Sequence, residues 1–417
     1  MDVVHPICAG IDVHKADIKV CLVWRGASDK RQPEVRTFRT MTAELLAMRD
    51  WLQDHHCPVV ALESTGVYWR PVHNLLEGDF EVLLVNPTHI KHVPGRKTDV
   101  KDCQWIAELL EHGLLKGSFI PPVEIRDLRD LTRYRRKLVE MRSAQVNRLQ
   151  KILEQANIKL ASVASDIMGV SGRAMLAALL AGEQDPAKLA ELSKGRLRNK
   201  KDDLQAALLG RFRPHHAQLL SEILALIDFL DESIAKLEGQ IDELCRPFEP
   251  QIVNMDSMSG ISRRAAQDVI AEIGVDMSHF PSHKHLCGWA HLAPGNNESG
   301  GNHGSGRTGK GNKWLRAILV ECAHAAGRTK DTYLGEQYRR FARRKDKKRA
   351  AVIVAHSMLE GIYFILRDNV PYKELGAQHF DGVNEAQVVR YHVRRLERMG
   401  YKVELQAPPT QELPLAA

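Results

Sequence analysis

Between residues 123 and 250, apolar side chains return every three or four positions for longer than one ordinary helix requires. Leu128, Leu131, Leu138, Gln145 and Ile152, with Met141 and Leu149 between them, nearly sustain a seven-residue repeat. A second run, Ile223, Leu226, Leu230, Ile234, Leu237, Ile241 and Leu244, stops at Pro247 and Pro250. Proline has no amide hydrogen and a fixed φ, so a helix does not continue through that pair. Two such seams with few aromatics restrict this stretch to a helical hairpin or coiled coil, or else to a pair of core helices. Shorter helices and a basic stretch, Lys194–Lys201, lie between them.

The first 120 residues follow another rule. Ile7–Val13 and Ile18–Trp24 are β-branched runs separated by His14–Asp17, the pattern of a hairpin, and Val35–Arg39 adds a third strand. A helical pattern through Leu45, Leu46, Met48, Trp51 and Leu52 follows, then strand Val59–Leu62, helix Trp69–Leu76 and strand Phe80–Val85. A last helix runs from Asp99 to Leu110. Hairpin strands followed by α/β units predict a mixed sheet with helices on its faces.

Past residue 252 a turn, Asp256–Ile261, leads into the helical run Ala265–Ile273. A glycine-rich loop, Pro294–Gly311, precedes the apolar helices Trp314–Ala326 and Val352–Leu366, the second of which holds His356, read as a satisfied core histidine. The chain therefore divides into residues 1–123, 124–250, 251–380 and 381–417, the last a C-terminal helix and a Pro-rich tail expected to be disordered.

Several classes of protein are excluded. The seven cysteines (8, 21, 57, 103, 245, 287 and 322) are scattered with no CxxC pair, which argues against a disulfide framework and a zinc knuckle. No run of about 18 apolar residues exists, so no membrane span is expected, and charged residues arrive too early in MDVVHPICAGIDVHKAD for a signal peptide. Lys plus Arg is 59 against 52 Asp plus Glu, a net +7, so where the charge sits matters more than its total.

Four acids fall where a metal site can use them. Asp12 ends the first strand in GIDVHK, Glu63 ends Val59–Leu62 in ALESTG, and Asp99 and Asp102 open a helix in KTDVKD, where the i, i+3 spacing puts both on one face. Carboxylates suit Mg²⁺, which takes oxygen ligands and keeps several waters. Singly, each acid is as readily a turn residue or a helix cap. Their order on this strand sequence resembles the RuvC/RNase H-like fold with its DEDD acids. With SMSGIS and LAPGNNESGG further on, the chain resembles the insertion-sequence transposases that join an N-terminal DEDD domain to a C-terminal serine, the bridge-RNA-guided recombinases. That resemblance implies an α/β RuvC-like first domain, a long helical, coiled-coil middle, and a mainly α C-terminal transposase domain with a glycine-rich catalytic loop. It makes Asp12, Glu63, Asp99 and Asp102 ligands of Mg²⁺. It further implies donor and target DNA and a guide RNA as partners, a dimer assembling to a tetramer, and a cytoplasmic, nucleoid-associated location.

The loop itself, Gly295–Gly311, holds seven glycines, and backbone without Cβ can approach a phosphate closely. Arg307, Lys310, Lys313 and Arg316 add positive charge there. By similarity the family's nucleophile aligns with Ser299, and Ser305 is a neighbouring rival because it too precedes a glycine. Taken from its composition alone, the loop is a flexible surface linker. Basic clusters at Arg133–Lys137, Lys194–Lys201 and Arg339–Arg349 (with Arg339, Arg340, Arg343, Arg344, Lys347 and Lys348) fit a polyanion partner. Ser257–Ala266 resembles a helix-hairpin-helix turn. Two other readings stay open: a Mg²⁺-dependent RuvC-like nuclease or Holliday-junction resolvase without a serine intermediate, and a non-catalytic nucleic-acid scaffold.

Overall fold

A computed structural model describes residues 2–26, 30–64, 66–86, 102–295, 298–299, 302–303, 308–309, 311–380 and 385–406. The chain forms two compact units, Met1–Ile120 and Pro121–Ala417.

The first unit is the mixed sheet. Its elements are β1 (Cys8–Val13), β2 (Asp17–Arg25), β3 (Arg31–Arg39), α1 (Thr42–Asp54), β4 (Val59–Glu63), α2 (Trp69–Leu76), β5 (Glu81–Val85) and α3 (Asp102–Glu111). The strand order is β3-β2-β1-β4-β5; β1, β2 and β3 pair antiparallel, while β4 lies parallel to β1 and β5 parallel to β4. The two-residue period of a strand sorts the side chains. Ala9, Ile11 and Val13 of β1 join Val60 and Leu62 of β4 in a core under α1 and α2. Cys8 of β1, with Val59 and Ala61 of β4, faces the other way and packs with Cys103, Ile106, Ala107 and Leu110 of α3. Gly10 is what lets α3 lie so close: a Cβ there would stand 2.3 Å from both the Cys103 carbonyl and the Ala107 nitrogen.

Glu111, the last residue of α3, is fully buried and receives hydrogen bonds from Arg25 (2.7 Å) and Arg31 (2.8 Å). Burial raises its pKa, but the hydrogen bonds and charges of Arg31 and Arg25 outweigh that and hold it below the usual carboxylate range. A lowered folded-state value contributes stability that is fully present above the unfolded value, about 4.3, and is lost as pH falls from there through the folded one. Glu111→Gln removes the buried carboxylate that the two part-buried guanidinium groups share. We expect the first unit to lose about 3 kcal/mol or more in urea unfolding at pH 7, with the difference from wild type shrinking in acid. An unchanged midpoint would show the pair to be dispensable.

The second unit contains α4 (Val123–Gln155), α5 (Leu160–Val163), α6 (Val170–Leu180), α7 (Pro186–Glu191), α8 (Lys201–Leu208), α9 (Pro214–Cys245), α10 (Glu249–Asp256), α11 (Arg263–Ile273), α12 (His283–Trp289), the small hairpin β6 (Glu298–Ser299) and β7 (Asn302–His303), α13 (Lys313–Ala326), α14 (Tyr333–Arg344), α15 (Lys347–Asp368) and α16 (Glu385–Arg398). A mixed α/β sheet is thus followed by a mostly helical body, as expected.

The two long helices α4 and α9 pack on each other within this chain. They run antiparallel, since Arg142 pairs with Asp231 while Arg135 lies 3.9 Å from Glu238. The buried seam of α9 differs from the expected one: Leu220, Leu224, Ile227, Leu230, Ile241 and Cys245 are covered, whereas Leu226 and Leu244 are exposed. On α4 the buried positions include Arg135, and Met141 is exposed. A charged side chain can hold a seam position because Asp268 of α11 accepts two hydrogen bonds from it, at 2.7 and 2.8 Å.

Helix α15 has the length and composition of a membrane span, yet Ala350, Ala351, Val354, Ala355, Met358, Leu359 and Ile362 are completely buried against the helices around it. It is a core helix. His356 on that helix is less satisfied than expected, because its Nδ1 is buried without a hydrogen-bond partner.

Candidate active site and nucleic-acid surface

Strand parity brings the acids together in the first unit. Asp12 follows Cys8 and Gly10 on the α3 side of β1, and Glu63 follows Val59 and Ala61 on the same side of β4. The two strands are adjacent and parallel, with Ile11 opposite Leu62, so the two carboxylates leave neighbouring strand ends. Asp102 begins α3, the helix seated on that face by Gly10. Asp12 senses this arrangement. Burial raises its pKa, His14 opposes the rise, and the Asp102 and Glu63 carboxylates raise it further. A carboxylate disfavoured by burial and by two like charges is one that a divalent cation restabilises. Oxygen donors of this kind fit a hard ion such as Mg²⁺. Among the described residues no three His, Cys, Asp or Glu side chains already stand within metal-binding proximity. Asp99, the fourth acid, lies outside the described residues.

His14 is a member of this site that the motif reading passed over. Its Nε2 stands 3.1 Å from Asp12 Oδ2. The signal was present in GIDVHK, since i and i+2 of an extended strand point the same way.

In the second unit, the loop after α12 carries the hairpin β6–β7, in which Ser299 is paired with Asn302. The two residues between them in the sequence are glycines, the type that tight hairpin connections favour. Ser305, Arg307 and Lys310 lie outside the described residues. Lys313 is exposed at the start of α13, its ammonium 5.3 Å from the Trp314 ring centroid. Arg316 turns back to the loop and donates to Thr308 Oγ1 at 2.7 Å.

The basic clusters separate once their partners are known. Arg133 is bidentate on Glu272, Arg135 is bound to Asp268, Arg136 to Glu321 and Lys137 to Glu140, so the 133–137 cluster is matched by acids of its own chain. Arg339 and Arg340 both bond to Glu336, and Arg340 also lies over the Phe380 ring. Lys201 pairs with Glu191 at 2.7 Å, while Lys194, Arg196 and Lys200 are exposed. Arg343, Arg344, Lys347 and Lys348 are exposed at the corner between α14 and α15. Two of these, Lys347 and Lys348, occupy the first turn of α15, where the helix dipole disfavours cations by roughly 0.3–1 kcal/mol each.

The turn Ser257–Ile261 connects α10 to α11. Gly260 has φ of +93°, and a Cβ there would stand 2.5 Å from the Cys322 carbonyl, so this turn is pressed onto α13.

Two family profiles match in the order of these sites. One, for DEDD transposases of the IS110 type, matches residues 9–158, which include the acids. The other, the transposase IS116/IS110/IS902 family, matches residues 254–339, which include the Ser257–Ile261 turn and the glycine-rich loop. Together they take in more than half of the 417 residues. This chain is a transposase of the IS110/IS116 family. The transposase is 24% identical over 298 residues to the transposase for insertion sequence element IS1111A of Coxiella burnetii, spanning 70% of this chain and 72% of that protein. It is 25% identical over 406 residues to the uncharacterized 42 kDa protein of insertion element IS900 of Mycobacterium paratuberculosis, spanning 88% and 97% respectively. A shorter similarity, 29% over 140 residues, joins it to the 43.6 kDa protein of insertion element IS110 of Streptomyces coelicolor, a third of each chain. The corner at Arg343–Lys348 lies beyond the second matched segment of the transposase.

Proposed function

We propose that this transposase cuts and rejoins DNA through a covalent bond between Ser299 and a DNA phosphate, assisted by Mg²⁺ at Asp12, Glu63, Asp99 and Asp102. The observation that carries the reading is the shared sheet face of Asp12 and Glu63 beneath the start of α3. Bound there, Mg²⁺ would stabilise negative charge on the phosphate and the oxygens entering and leaving it. The Ser299 Oγ attacks phosphorus and gives up its proton; the P–O bond to the departing strand breaks, and that strand leaves as a hydroxyl. Rejoining reverses the exchange, as a hydroxyl of the new strand attacks phosphorus and the serine oxygen departs with a proton. The phosphodiester energy is kept throughout, so no ATP is needed.

In this reading Lys313, Arg343, Arg344, Lys347 and Lys348 hold backbone phosphates, with Arg307 and Lys310 in the loop and Arg339 and Arg340 as a paired flank. Arg316 steadies the loop. Base pairing with a bridge RNA selects the sites, and the protein holds backbone and shape. Four strands are exchanged between two duplexes, so dimers assemble to a tetramer in which the acids of one subunit serve the serine of another. The reaction takes place in the cytoplasm on the nucleoid.

Replacing Arg343, Arg344, Lys347 and Lys348 together by Gln is expected to weaken binding to duplex DNA. The slope of log K against log salt should fall by roughly 3 to 4, about 0.9 for each phosphate that is no longer neutralised. Fluorescence anisotropy over a salt series measures it, and an unaltered slope would mean that this corner faces only water. The function is tested by incubating the protein with its element's DNA, its flanking RNA and Mg²⁺. Joined recombinant strands support the proposal, and free cut ends without joining favour the nuclease.

A further inference from the structure

Three elements of the second unit, α4, α11 and the start of α13, converge on one buried carboxylate beside the serine loop. Glu272, in the last turn of α11, is 1% exposed. Its Oε1 accepts from Arg133 Nε at 2.8 Å and its Oε2 from Arg133 Nη2 at 2.7 Å. Oε2 also accepts from Asn312 Nδ2 at 2.6 Å. Asn312 is the residue at which the loop ends and α13 begins, and its Oδ1 caps that helix by accepting from the amides of Trp314 (3.0 Å) and Leu315 (3.2 Å). Arg129 braces the same point, donating to the carbonyls of Ala271 (2.9 Å) and Glu272 (2.8 Å). The loop exit is gripped from its other side as well. A Cβ at Gly309 would stand 2.2 Å from His291 Nδ1, and one at Gly311 would stand 2.5 Å from the Ala290 carbonyl.

Capping α13 needs only the oxygen of Asn312. Aiming the amide nitrogen at a buried, doubly arginine-bound carboxylate adds the desolvation of a charge, which an apolar contact would avoid. What such an arrangement supplies is a single geometry, because every donor and acceptor in it must be met. We infer that Asn312 and Glu272 are positioning residues for the transposition reaction: they fix the exit of the glycine-rich loop on the α4–α11 framework and thereby fix where Ser299 stands. The inference rests on the reading of Ser299 as nucleophile.

Asn312→Asp separates the two functions of the residue. Aspartate caps a helix as well as asparagine does, so folding is retained, but it has no N–H for Glu272 and sets two carboxylates against each other. Adding Glu272→Gln reverses donor and acceptor, since the new amide can donate to the new carboxylate. Two readouts apply: the rate at which DNA becomes covalently attached, and hydrogen exchange of amides 308–316. Asn312→Asp should slow attachment by ~10- to 100-fold with DNA affinity preserved, as expected for a reacting group displaced by about an ångström. Exchange at 308–316 should accelerate, and Asn312→Asp with Glu272→Gln should restore both. Wild-type attachment and exchange in Asn312→Asp would overturn the inference, as would a double variant no better than the single one. If the wild-type protein attaches no DNA, the nucleophile reading fails, and exchange alone then shows whether the pair clamps the loop.

Discussion

Ser299→Ala protein should bind its DNA with wild-type affinity and retain none of it after denaturation. The hydroxyl is the only group removed, and Ser299 sits in a two-residue strand of a small hairpin. Removing an attacking group typically lowers a rate by a thousandfold or more, roughly 10³ to 10⁶. Joined products should fall by at least that lower figure. Denaturing gels of radiolabelled DNA measure both quantities. An adduct persisting in this variant would transfer the nucleophile to another serine of the loop, Ser305 first. Intact strand cleavage without any adduct would instead favour hydrolysis by the acids alone.

Asp102→Asn is expected to be comparably damaging for a different reason. Asp102 is exposed at the start of α3, so the fold bears little of the change. The variant also removes one of the two carboxylates that raise the pKa of Asp12, so Asp12 should ionise more readily while metal binding weakens. Loss of several kcal/mol of charge stabilisation corresponds to roughly 10²- to 10³-fold in rate. Cleavage should require more Mg²⁺, and calorimetric titration of the metal should show weaker binding. Wild-type recombination at wild-type Mg²⁺ by Asp102→Asn would remove this residue from the site.

Much of the first unit was legible because strands sort their side chains by parity. GIDVHK and ALESTG each place an acid on the same parity as the residues that face α3, and the hairpin and parallel strands followed from the β-branched runs. The partner of Asp12 lies two residues along the chain, but a pattern of carboxylates does not single out a histidine. The long helices were legible as helices but not in their seams. Leu226 and Leu244 are apolar yet exposed, and Arg135 is charged yet buried. A repeat read from hydrophobicity alone cannot register that Asp268, far along the chain, neutralises Arg135. The same blindness affected the basic clusters. Arg133–Lys137 looks unpaired locally because Glu272, Asp268 and Glu321 are distant in sequence, whereas the corner at Arg343–Lys348 has only Asp346 within it, and that residue caps α15 through the Arg349 amide at 2.9 Å. Composition made the glycine loop a linker. The clamp at its exit depends on Glu272, 40 residues earlier, and no spacing rule connects the two.

The most direct measurement concerns the bond itself. The protein is mixed with its element's DNA, flanking RNA and Mg²⁺, denatured, and digested with nuclease and trypsin. The peptide spanning residues 285–307, which contains both Ser299 and Ser305, is then fragmented in a mass spectrometer. A nucleotide phosphate on Ser299 is the expected result. An unmodified peptide accompanied by fully cleaved DNA would contradict the serine intermediate and leave the acids as the whole of the catalytic site.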